Sequence, residues 1–233
     1  MTLYAGGKKR IGKEISDTIY NISKKIETDE DFTILGYCEP FCGMMGVYQY
    51  IPDIFKNNKP KLRYQAGDRN PYLIKLWKGL QNGFKPPHKC TKKEYYNYKD
   101  NDNKSLKAIF LGFACAIRGV FRSTYFSINN VCLQAEHAEE IALKVKNVEL
   151  KVGEYNSFSN LKNYVIYCDP PYKDSVSPYS IGDVYNTKFD YDKFVDWCLK
   201  MSENNIVFIS EYNKPCKECK LVWKKRKEKL YLL

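Results

Sequence analysis

The run Tyr164-Val165-Ile166-Tyr167-Cys168, closed by Asp169-Pro170-Pro171-Tyr172, constrains the fold of this chain more than any other stretch. Two β-branched residues among aromatics suit a buried strand. The paired prolines must end it, because neither has an N–H to donate to a neighbouring strand. In open α/β sheets ligands sit just beyond the carboxyl ends of strands. The sequence therefore sets three groups together at such an end: the carboxylate of Asp169, the carbonyl of Pro170 on a stiffened backbone, and the ring of Tyr172. That set suits a flat base carrying an exocyclic amine.

Strand-loop-helix texture recurs along the chain. After the turn Ala5-Gly6-Gly7, Ile11, Ile15, Ile19, Ile22 and Ile26 are spaced by three or four residues, which predicts one amphipathic helix. A strand over residues 32–38 leads into the loop Glu39-Pro40-Phe41-Cys42-Gly43 and a helix to Tyr50, stopped by Pro52. A second strand, residues 62–66, ends at Gly67-Asp68, and Pro71 opens the next helix. Residues 135–146 and 191–201 read as further helices, and Ile206-Val207-Phe208-Ile209 as a strong strand. This alternation implies an α/β fold, a mostly parallel sheet with helices on both faces. Between residues 81 and 103, Pro86-Pro87, lysines, tyrosines and an Asn/Asp tract read as a loop-rich insertion.

With 233 residues and 44% hydrophobic content the chain is long enough to bury a full core, as one domain or one domain with a sizeable insertion. No apolar run has membrane-spanning length, and the first eight residues lack the hydrophobic core of a signal peptide. The expectation is an intracellular protein, not a secreted one. Nine cysteines without a framework read as reduced thiols, with Cys115, Cys132, Cys168 and Cys198 as small core residues. The net charge of +11 is uneven: between Lys56 and Lys107 there are 14 basic against 4 acidic residues. Accompanied by Tyr95, Tyr96 and Tyr98, that excess points to a polyanion as partner.

Five segments, Tyr4-Ala5-Gly6-Gly7-Lys8, Glu39-Pro40-Phe41-Cys42-Gly43, Ala66-Gly67-Asp68-Arg69-Asn70, Asp169-Pro170-Pro171-Tyr172 and Ser210-Glu211-Tyr212, occur in the order seen in DNA adenine methyltransferases of the Dam type. The chain resembles that family over nearly its whole length, least over residues 89–148. The stretch from Leu73 to Gly83, closing on Pro86-Pro87, is most similar to the phage and viral branch. The resemblance implies a Rossmann-like sheet that binds S-adenosylmethionine across its strand ends and releases S-adenosylhomocysteine. In this scheme Tyr4 and Lys8 contact the cofactor, Glu39, Phe41 and Gly43 line its methionine and adenosine parts, and Asp68 binds the ribose hydroxyls. Asp169 stands between cofactor and substrate, accepting from the target amine; Pro170 offers its carbonyl and Tyr172 stacks on the base. Residues 1–79 and 136–233 would form the catalytic, cofactor-binding domain, and residues 80–135 an inserted target-recognition region.

The implied partner is double-stranded DNA, with the target adenine flipped out of the duplex, in whichever compartment of the cell or host holds that DNA. Two acceptors on an amine's hydrogens favour a pyramidal nitrogen whose lone pair can attack a methyl group, so position and electrostatics carry the reaction. Cytosine's exocyclic amine is the alternative that the same geometry can serve. One position departs from the family: its first motif carries a second glycine where this chain has Met45, followed by Gly46. A methionine there would crowd the cofactor or redirect the turn, and a chain so altered would be a DNA-binding homologue with impaired catalysis.

In the target-recognition region Arg118, Arg122 and Tyr125 flank an expected hairpin, where an arginine reads guanine or meets phosphate. No metal is expected. Cys216 and Cys219 have ligand spacing but lack a second pair or a nearby histidine, and His88 and His137 read as isolated. The tail Lys224-Lys225-Arg226-Lys227-Glu228-Lys229 reads as part of a charged edge strand.

Overall fold

The computed structural model describes residues 7–30, 32–57, 61–126, 130–173 and 189–233, the side chain of Arg118 excepted. Its core is one seven-stranded sheet in the order β3-β2-β1-β4-β5-β7-β6. Strands β1 (Gly36–Glu39), β2 (Arg63–Asp68), β3 (Glu149–Val152), β4 (Tyr164–Cys168) and β5 (Ile206–Glu211) are parallel. Strand β7 (Glu228–Leu232) runs antiparallel between β5 and β6 (Lys220–Lys225). This is the mostly parallel, Rossmann-like α/β sheet with helices on both faces expected from the sequence. Its strand order reverses between β1 and β4, which makes the carboxyl ends of those two strands the crevice of the fold.

Alternation along the strands feeds two cores. Tyr37, Val165, Tyr167, Ile206 and Phe208 face one side; Cys38, Ile166, Cys168, Val207 and Ile209 face the other. The first side is covered by helices α1 (Gly12–Asp29), α3 (Pro71–Gln81), α5 (Leu106–Ala114) and α6 (Val131–Lys144). The second is covered by α7 (Tyr191–Ser202). Helix α3 starts sharply because the Asn70 side chain accepts from the N–H groups of Tyr72 and Leu73, with Pro71 in the first turn where no donor is missed. Helix α1 lies directly on the loop after β1. A Cβ on Gly12 would stand 2.0 Å from the Gly46 carbonyl oxygen, so only glycine fits there.

The structure differs from the sequence reading in several places. Pro52 does not stop a helix but sits in the first turn of the short α2 (Ile51–Ile54), a position proline tolerates. Within residues 81–103 lies a helix, α4 (Lys92–Asp100), capped by Thr91 and seated through the buried Tyr95. Lysines and tyrosines there mask a regular helix. Helix α6 begins at Val131, capped by Asn130, rather than at 135. Strand β3, with one buried position, escaped notice because it lies at the sheet's edge. The basic tail is a β6–β7 hairpin, and β7 is internal, its Leu230 and Tyr231 buried. Helix α5 is buried along almost its whole length, so residues 80–135 share the main core.

Candidate active site

Each of the four adjacent parallel strands β2, β1, β4 and β5 delivers a carboxylate at its carboxyl end. Asp68, Glu39 and Glu211 are the last residues of β2, β1 and β5, and Asp169 directly follows β4. All four hold their protons more tightly than such groups ordinarily do. Burial lifts Glu39 far above the carboxylate range, against the pull of the Tyr37 hydroxyl, which donates to its Oε1 at 2.8 Å. Burial raises Asp68 to about 6, opposed by the N–H groups of Asn70 (2.8 Å) and Gly43 (3.1 Å) that donate to its two oxygens. Asp169 is raised by burial and lowered by Lys8. Glu211 is raised by burial, opposed by the N–H groups of Tyr212 and Lys173. A row of acids perturbed by burial and gathered at strand ends makes this the candidate functional site.

One cation is built in. Among the described residues Lys8 is the only buried lysine or arginine, and its Nζ lies 2.9 Å from Asp169 Oδ1 and 3.6 Å from Glu228 Oε2. Burial depresses the Lys8 ammonium, but Asp169 and Glu228 outweigh it and hold its pKa above the ordinary value. The same ammonium sits 4.9 Å above the ring of Tyr172, whose hydroxyl donates to Glu228 Oε2 at 2.8 Å. Tyr212 packs edge-on against that ring, with centroids 4.5 Å apart. Asp169 and Tyr172 are thus tied through Lys8 to the β6–β7 hairpin. Glu211 holds the far side of the loop by accepting from the Lys173 N–H.

Sequence reading missed Glu228, Glu211 and Tyr212 as site residues. For Glu228 one signal existed: it is the lone acid in a run of basic residues. Nothing local shows that the hairpin folds back onto the strand ends.

The other expected residues fall into place as follows. Gly43, with φ of 46°, donates to Asp68, and its carbonyl accepts from Trp77 Nε1 at 2.9 Å, so the loops after β1 and β2 are joined at one point. Phe41 stacks on Tyr155 at 5.9 Å and meets Phe189 and Phe194 edge-on, forming an aromatic wall on the α7 side. Pro170 is buried next to Asp169. Tyr4 lies outside the described residues. Met45 adopts the left-handed conformation, φ 56°, and its side chain is entirely buried in the helix-covered core. A side chain lining an accessible crevice would expose surface; Met45 exposes none. The turn takes another course, and the glycine needed for close approach moves to Gly46, whose Cβ would lie 3.0 Å from the Lys8 nitrogen.

Of the expected nucleic-acid contacts, Arg122 is committed internally. Its guanidinium bonds Asp102 and the Asn103 carbonyl and lies over the rings of Phe121 (5.0 Å) and Tyr72 (5.9 Å), with its side chain 14% exposed. This arginine pins the loop after α4 rather than presenting itself to a base edge. Tyr125 pairs with Ala116 in an isolated bridge, and its hydroxyl donates to the Cys90 carbonyl at 3.1 Å. Arg118 stands in the short 3₁₀ turn Ile117–Gly119, and its side chain lies outside the described residues.

No protein-family model and no curated protein matches the chain. Among solved structures, two of the rRNA methyltransferase AviRa from Streptomyces viridochromogenes are similar to it with TM-scores of 0.40 and 0.41. The sequence identities are 10% and 9%, and each comparison covers 92% of this chain and 84% of the other.

Proposed function

We propose that this protein is an S-adenosylmethionine-dependent methyltransferase acting on the exocyclic amine of adenine in double-stranded DNA. The observation that carries the reading is the row of proton-holding carboxylates across the strand ends, with Lys8 as its one buried cation. The donor set fits the cofactor. Each Asp68 oxygen accepts one backbone N–H and keeps a second lone pair for a ribose hydroxyl. The acids favour a cationic ligand at the point where Glu39 and Asp169 flank the crevice. The bound cofactor supplies an electrophilic methyl group on a cationic sulfur.

The chain's own residues do the rest by position. Asp169 and the Pro170 carbonyl are two acceptors for the two amine hydrogens, and together they draw the nitrogen lone pair out of conjugation with the ring. Lys8, 2.9 Å from Asp169 Oδ1, orients that carboxyl group and counters the upward push of burial on it. Tyr172, fixed by Glu228 and Tyr212, offers a rigid ring to a flipped base and offsets part of the unstacking. Met45 is buried in the core, which supports a reading in which its side chain does not crowd the cofactor. A net charge of +11, concentrated between Lys56 and Lys107, supports the polyanion part of the reading.

The test is transfer of labelled methyl from S-adenosylmethionine to duplex DNA, followed by nucleoside analysis of the product. N6-methyladenine is expected. Asp169→Ala should lower turnover by about 1,000-fold, the scale seen when one electrostatic contact to a reacting centre is removed. Label on RNA or on cytosine would redirect the substrate assignment, and full activity of the Asp169→Ala variant would overturn the role given to Asp169.

A further inference from the structure

His88 and Cys132, which read in the sequence as an isolated histidine and a core thiol, meet on the surface beside Glu136. His88 Nδ1 lies 3.2 Å from Cys132 Sγ, and Cys132 Sγ lies 3.4 Å from Glu136 Oε1. All three ligand-type atoms fall within 4.8 Å of one another. Cys132 and Glu136 are i and i+4 on α6 and therefore share a face of its first turns. His88 arrives from a different segment, the loop between α3 and α4, directly behind Pro86-Pro87, which restrict its backbone.

The spacing has the size of a coordination edge. Zinc binds thiolate at about 2.3 Å and imidazole or carboxylate at about 2.0–2.2 Å, so neighbouring ligand atoms of a tetrahedral site stand about 3.4–3.6 Å apart. The His88–Cys132 and Cys132–Glu136 separations lie within a few tenths of an ångström of that. The donor set, one imidazole, one thiol and one carboxylate, is the mixture that borderline-soft divalent ions select over calcium or magnesium. We infer that His88, Cys132 and Glu136 form a zinc site, three protein ligands with water in the fourth position, that fastens the loop opening α4 to the first turns of α6. On binding, the Cys132 thiol releases its proton to solvent and the ion takes that proton's place between sulfur and carboxylate. The bound ion braces the segment that carries the basic, tyrosine-rich helix α4. The site shares no residue with the Asp169 cluster, so it stands or falls apart from the methyltransferase reading.

Titration of the full-length chain with cobalt(II), then competition with zinc(II), tests it. One cobalt per chain should bind, with a thiolate-to-cobalt charge-transfer band in the near ultraviolet that zinc abolishes. Cys132→Ser should remove the band, and His88→Ala should weaken binding by about 100-fold or more. The Cys216→Ser/Cys219→Ser double variant must keep the band, because that pair, with its sulfurs 3.2 Å apart, has metal-ligand spacing of its own. Zinc should raise the melting temperature of the parent chain and of the double variant but not of Cys132→Ser. The proposal is overturned if no charge-transfer band forms at millimolar cobalt, if the band survives Cys132→Ser, or if it disappears only in the double variant.

Discussion

Lys8 has burial against it and two carboxylates for it, and the carboxylates prevail. The two effects meet at Asp169, whose carboxyl is raised by burial and pulled back down by the Lys8 ammonium 2.9 Å away. Asp68 has backbone N–H groups as partners, and its raised value makes a testable statement about pH. Its carboxyl binds a proton near pH 6 when folded and near 3.8 ordinarily, so the folded state holds that proton more tightly. The stability it contributes is complete below the lower value and is lost as pH rises through the upper one, by at most about 3 kcal/mol. Urea unfolding at pH 4.5 and 7.5 should show the difference in ΔG between the parent chain and Asp68→Ala shrinking as pH rises. A difference independent of pH would mean that burial is not what perturbs this group.

At the level of elements, the site depends on where helices and hairpins begin. Asn70 is 2% exposed and caps α3 immediately after Asp68, so the cap and the acid are set by one turn. Asn70→Ala should cost about 1–2 kcal/mol in denaturant unfolding, at the upper end for caps because the freed N–H groups are shielded. Its second consequence is local: Asp68 loses the turn that orients it. The β6–β7 hairpin turns through Arg226 at φ 57° and so lands Glu228 beside Lys8 and Tyr172. A single antiparallel pair at the end of a parallel sheet thus completes the site that the parallel strands begin.

For the molecule as a whole, charge is divided between surface and interior. The strand ends gather acids, while the basic excess lies between Lys56 and Lys107, and helix α4 within that stretch presents exposed lysines such as Lys92 and Lys93. Under the proposed function, this distribution would draw a polyanion to the surface and leave the crevice to the smaller, cationic cofactor. If duplex DNA is bound through about four phosphates, raising salt from 50 to 200 mM should weaken the affinity by about 100-fold, with log Kd linear in log salt. Fluorescence anisotropy with a labelled duplex measures this, and an affinity insensitive to salt would remove the basic stretch from the interface.

Much of this arrangement was legible in the chain itself. Val165 and Ile166, ended by two prolines, specify a strand and its carboxyl end, and the recurrence of strand, loop and helix specifies a parallel sheet, because these signals are local and periodic. Asp68, Asp169 and the glycine loop at Gly43 follow from the same logic, as residues at strand ends. Tertiary structure alone decided the partners. Glu228 reaches Lys8 across more than two hundred residues of chain, Arg122 turns inward onto Asp102 and Tyr72, and Met45 is taken into the core instead of the crevice. His88 meets Cys132 and Glu136 in the same way, from a loop and a helix that carry no common pattern. A strand end can be read from neighbours along the chain; a contact between distant segments is fixed only when the sheet order and hairpin geometry bring them together.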